Sequence, residues 1–85
     1  MIVKLVEVKH NGQGYSLHEI CVNPNHVVCV RHQVISLAEG QYPADLDRRQ
    51  EFSKLHLDDG QVLTVVGNTS LVENKLNNAT RLLKG

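Results

Sequence analysis

The 85-residue sequence contains no tryptophan, one phenylalanine and two tyrosines, so it offers almost no aromatic surface. A stacking platform for single-stranded nucleic acid needs several such rings and is disfavoured on this ground. Net charge is missing as well, because nine Lys and Arg balance nine Asp and Glu. That argues against a strongly basic nucleic-acid wrapper, an acidic DNA mimic and a polybasic membrane-surface peptide. No apolar run approaches the roughly 18 to 20 residues of a spanning helix, so no membrane partner is expected. The stretch from Met1 to Lys9 carries charges inside its apolar pattern and no small-residue cleavage site, which makes a cytoplasmic address the expectation. Two cysteines, Cys21 and Cys29, are too few for a disulfide framework and are expected as a buried thiol pair. No repeat, low-complexity tract or linker divides the chain, so residues 1–85 read as one domain.

What is present is period-two patterning of Val, Ile, Leu and Thr, interrupted by Gly, Asn, Pro and Asp. It predicts strands at 2–9, 15–22, 27–36, 52–58 and 61–66. Asn11-Gly12-Gln13-Gly14 and Asn23-Pro24-Asn25 supply turns between the first three. Asp58-Asp59-Gly60 suits a two-residue type I′ hairpin, which would set Leu57 opposite Val62, Leu55 opposite Thr64 and Ser53 opposite Val66. In that register Phe52, Leu63 and Val65 share the other face with Lys54 and His56. After Gly67, Val72, Leu76, Ala79 and Leu83 recur at helical spacing, with the cap falling to Ser70, Asn68 or Thr69. The fold class is α+β: a small, mainly antiparallel sheet or open barrel of about five strands with one C-terminal helix. A single helix covers one sheet face, yet strand 27–36 is apolar on both, with Val28, Val30, His32 and Val34 on one side and Val27, Cys29, Arg31 and Ile35 on the other. Either the sheet curls into a barrel or a second subunit meets it, and a homo-oligomer is the favoured expectation. The 37–50 connection is long for so small a domain, which suits a mobile or functional loop.

Chemistry-bearing residues are few. Cys21, His26, Cys29 and His32 follow the spacing Cys-x4-His-x2-Cys-x2-His, which matches no finger or ribbon, and strand alternation separates Cys29 from His32. No metal and no cofactor is expected. Cys29 with His56 or His18 could be assembled as a nucleophile and base, but no nucleophile elbow or phosphate-binding glycine loop accompanies them, so no catalytic residue is assigned. Arg48 and Arg49 end the long connection and precede the strand carrying Lys54. With Arg31, these are the candidate contacts for phosphates or an acidic partner, although Asp45, Asp47 and Glu51 stand close enough in sequence to neutralise the arginine pair.

Arg48-Arg49, the hairpin from Lys54 to Val65 and the segment Thr69-Ser70-Leu71-Val72-Glu73-Asn74-Lys75-Leu76 resemble the C-terminal half of RemA-type regulatory proteins. These are small bacterial DNA-binding regulators that form rings and place arginines on DNA. Together with Cys21-Val22-Asn23-Pro24-Asn25-His26-Val27-Val28, the same stretch is similar to small FlbD-type flagellar proteins, and the hairpin and helix also resemble half of a LytTR DNA-binding domain. The RemA-type resemblance implies phosphate contacts at Arg48 and Arg49 alone. The Asn-rich N-terminal stretch of that family has no counterpart here. The functional expectation is a non-enzymatic interaction or regulatory module of bacterial or phage origin, acting through protein contacts and self-association. The alternative is a DNA-binding regulator using Arg48, Arg49, Lys54 and Arg31, and a metal- or thiol-dependent enzyme ranks third.

Overall fold

A computed structural model describes residues 2–10, 12, 14–35 and 49–84, with side chains up to Asn78 in the last helix. The elements are β1 (Val3–His10), β2 (Tyr15–Val22), a 3-10 turn (Pro24–His26), β3 (Val27–Gln33), β4 (Phe52–Leu57), β5 (Val62–Val66) and α1 (Thr69–Lys84). All five predicted strands and the helix are present. The largest difference is β3, which ends at Gln33, three residues before the predicted limit. The 36–48 part of the long connection, including Arg48, Asp45 and Asp47, lies outside the described residues.

The strands form one antiparallel sheet in the order β2-β1-β5-β4-β3. β1 and β2 pair along their whole length, from Val3 opposite Val22 to His10 opposite Tyr15. Gly12, at φ 86°, lies in the turn that joins them. The two edge strands, β2 and β3, are consecutive in sequence, and this decides the shape. Laid flat, five strands would hold the edges about 19 Å apart, since neighbours sit roughly 4.8 Å from one another. The link from Val22 to Val27 contains a 3-10 turn rising only about 2 Å per residue, so it spans roughly 13 Å at most. The sheet must therefore curl until its edges converge at that end. No ladder joins β2 to β3 among the described residues, so the barrel stays open.

The β4–β5 turn departs from the expected type I′ geometry. Gly60 N–H donates to Leu57 O at 3.1 Å and Leu57 N–H to Gln61 O at 2.9 Å, so three residues form the loop. Gly60 alone has positive φ, at 89°, whereas a type I′ turn would need it at Asp59 too. This is a type I turn followed by a left-handed glycine, and it shifts the register by one residue. Leu55 faces Leu63, Ser53 faces Val65, Lys54 faces Thr64 and His56 faces Val62. A one-residue slip exchanges faces, so Leu63 and Val65 join Leu55 on the inner side instead of Phe52 on the outer. β3 is corrected in the same way. A bulge between Val27 and Cys29 puts Val27 opposite Leu57 and Val30 opposite Leu55, both inward, while Cys29 and Arg31 turn outward.

The inner face carries the core: Val3, Leu5, Val22, Leu55 and Val65 from the sheet meet Val72 and Leu76 of α1, with Ile20, Val27, Val30, Leu57 and Leu63 packed around them. α1 starts where Asn68 Oδ1 accepts the Leu71 N–H at 2.7 Å, so Asn68 is the cap and Ser70 is not. Ser53 is fully buried, and its hydroxyl donates to Gly67 O at 2.7 Å, tying β4 to the lead-in of the helix. On the outer face Val8 and Phe52 are buried as well, whereas Val6 and Val62 remain exposed.

Candidate functional site

The four cations singled out in the sequence do not converge as one described group. Arg31 and Lys54 are directly opposite each other on β3 and β4 and project from the outer face. Like charges in that position repel unless solvated or matched by an anion, and no ion pair joins either of them to a described carboxylate. Arg49 stands elsewhere, in a shallow hollow of about 230 Å³ shared with Glu51, Asn68 and Leu71 at the start of α1. Arg48 is outside the described residues.

A larger feature is a cleft of about 480 Å³ on the inner side of the open barrel. Ile20 and Val22 of β2 line one wall, Leu57 and Leu63 of the β4–β5 hairpin the other, and Glu7 projects from β1. Asp58 and Asp59 on the hairpin turn, with Asn23 and His26 beside the 3-10 turn, form the polar rim. No lysine or arginine is among the described lining residues. The Glu7 side chain is 13% exposed, and its nearest cation is Lys9 Nζ at 3.9 Å, a long contact from a mostly solvated side chain.

Local chemistry assembles this rim. Asn23 Oδ1 accepts the Asn25 N–H at 3.0 Å, and the Pro24 ring is suited to opening the 3-10 turn, so His26 is delivered at its end. The pairing of Val27 with Leu57 then brings His26 against the hairpin turn. Asp58 N–H donates to His26 O at 2.9 Å, and His26 Nδ1 lies 2.8 Å from Asp58 Oδ2. That hydrogen bond, then the Asp58 charge and the more distant Asp59 charge, raises the His26 pKa above its ordinary value. The opposite side of the turn is held by Asp59 Oδ1, which accepts the Gln61 N–H at 2.9 Å.

The cysteines are not a buried pair. Cys21 is exposed on β2, Cys29 half-buried on β3, and both are free, on the two opposite edges of the sheet. Cys29 does face His56 across the β3–β4 ladder, although no hydrogen bond joins them, and His56 Nε2 is buried without a partner. Ser16 Oγ and His18 Nε2 are 2.8 Å apart, but the pair is exposed and no carboxylate is hydrogen-bonded to the other ring nitrogen. Among the described residues no group of three or more His, Cys, Asp or Glu is placed to hold a metal ion. Among the same residues, no helix is long and apolar enough to cross a membrane.

The His26–Asp58 pair and the cleft escaped the sequence reading. The Asn-Pro turn and the Asp-Gly turn were each visible, but 32 residues separate the two side chains and only the strand pairing joins them. Compared with known proteins, the chain matches no family model, no curated protein and no solved structure.

Proposed function

We propose that the chain is a non-enzymatic interaction module with a regulatory role, acting through protein contacts and self-association. The observation that carries this reading is the incomplete cover of the sheet. α1 packs on the inner face only, while the outer face presents Val6 and Val62 to solvent, and Val28 on the β3 edge is 68% exposed. Apolar side chains on an incompletely covered face, with strand edges that have no partner among the described residues, are the features that a second chain buries. The occupant this reading names is a second copy, because the chain is small for a self-sufficient core. Light scattering over a range of concentrations tests it. A mass above 9.5 kDa that falls to one chain in Val62→Asp is the expected result. A single-chain mass at every concentration removes the self-association reading.

A second reading, a DNA-binding regulator, is favoured by the Arg31–Lys54 pair. Two cations held side by side without a described carboxylate suit a phosphate oxygen. A mobility-shift titration should then show affinity that falls steeply with salt and weakens in Arg31→Ala/Lys54→Ala. The absence of any shift at low salt eliminates it.

A further inference from the structure

The cleft inside the open barrel has a chemistry distinct from the outer face. Its walls are aliphatic, through Ile20, Val22, Leu57 and Leu63, and among the described residues its charged groups are Glu7, Asp58 and Asp59 with the imidazole of His26. Asp58 is engaged by His26, and Asp59 accepts a backbone N–H from Gln61. Glu7 is the least exposed of the three carboxylates, and among the described residues its one ion-pair contact is the 3.9 Å approach of Lys9. An aliphatic cleft bordered by carboxylates complements a cation on an apolar stem. A lysine or arginine side chain has that form: its methylene groups pack on the walls while the charged head meets the acids.

A second feature selects a polypeptide as the source of that side chain. β2 is an edge strand, and its residues Ile20, Cys21 and Val22 border the cleft. The backbone row on its outer side has no strand partner among the described residues. An extended peptide pairing with that edge would send alternate side chains toward the cleft, the geometry of strand addition. We infer that the cleft between β2 and the β4–β5 hairpin is a docking site for an extended basic peptide, which adds to the β2 edge and places a lysine or arginine against Glu7 and Asp59. This rests on the reading that the chain acts through protein contacts and names the class of partner.

The probe is a fluorescein-labelled, end-blocked pentapeptide Val-Arg-Val-Lys-Val, titrated by fluorescence anisotropy with the full chain. Saturable binding is expected, weakening as salt rises, with no binding of the Val-Glu-Val-Glu-Val control. Glu7→Gln/Asp59→Asn keeps the shapes and the turn acceptor and is expected to weaken binding at least fivefold, with an unchanged circular dichroism spectrum showing that it folds. A peptide with alternate backbone nitrogens methylated should lose affinity too, since it cannot complete the ladder. Failure of the basic peptide to saturate, equal affinity for the carboxamide variant, or equal affinity for the methylated peptide would each overturn the inference. Light scattering on the same preparation separates the two levels. A self-associating chain that ignores the peptide sinks the docking site and leaves the module reading standing.

Discussion

Ser53 gives the sharpest test of how this small fold is held together. It is the one described polar residue buried in the core, at 0% exposure, and its hydroxyl donates to Gly67 O at 2.7 Å. Gly67 also donates its own N–H to Glu51 O at 2.8 Å, so the Ser53 bond completes a two-point attachment between the start of β4 and the lead-in to α1. Ser53→Ala removes a single oxygen and leaves little cavity; the loss is the donor, which strands a buried carbonyl. The expected cost is about 1–3 kcal/mol. In a chain of this size that corresponds to a fall in Tm of roughly 4 to 24 °C. Ser16→Ala provides the control, because its hydroxyl lies at a comparable 2.8 Å from His18 Nε2 but at an exposed site, and a change within about 0.5 kcal/mol is expected. Urea unfolding of both variants, compared at constant m-value, measures the difference. Equal midpoints for the two would refute the argument that burial, rather than hydrogen-bond length, sets the energetic weight here.

Two other perturbations probe the hairpin end of the cleft. The pKa of His26 is raised in the folded chain by Asp58, so the stabilisation it brings is fully present below the unfolded value of 6.5 and is lost as pH rises through the folded value. The stability gap between the wild-type chain and His26→Gln should therefore be widest near pH 5.5 and shrink by pH 8.5, as followed by urea midpoints across that range. A gap independent of pH would rule this linkage out. Gly60→Ala forces a Cβ into a left-handed conformation at φ 89° with no atom within 4 Å of it, so backbone strain alone should cost about 1–2 kcal/mol. Gly60→Asn should cost less, because asparagine tolerates that region; if the two substitutions are equally harmful in thermal unfolding, the strain is not the cause.

The strands and the helix were legible because their signals are local. Alternation in Val3–His10 and Tyr15–Val22 needs only neighbouring residues to be read, and the same holds for Val72 and Leu76 at helical spacing after Asn68. That a single helix leaves one sheet face without helical cover was legible for a related reason, but its apolar residues were not: Phe52, Leu63 and Val65 were expected there, whereas Val62 is exposed and Phe52 is buried. The register was harder. Asp58-Asp59-Gly60 is compatible with a two-residue type I′ loop and with a three-residue loop ending in a left-handed glycine. The choice between them moves Leu63 and Val65 from the outer face to the inner, where Val65 becomes fully buried.

By itself, the sequence determined an α+β fold of five strands and a closing helix, with glycine and proline turns at each of the short connections. Only the tertiary structure decided that β2 and β3 are the two edges, that a bulge at Val28 turns Cys29 and Arg31 outward, and that the curled sheet stays open. It also decided the contents of the cleft, where Glu7, Ile20, His26, Asp58 and Leu63 meet although no short-range pattern relates them. The physical reason is range. Propensity and periodicity act over a few residues, whereas His26 reaches Asp58 across 32 positions only because Val27 pairs with Leu57 and a short 3-10 link draws the edges together.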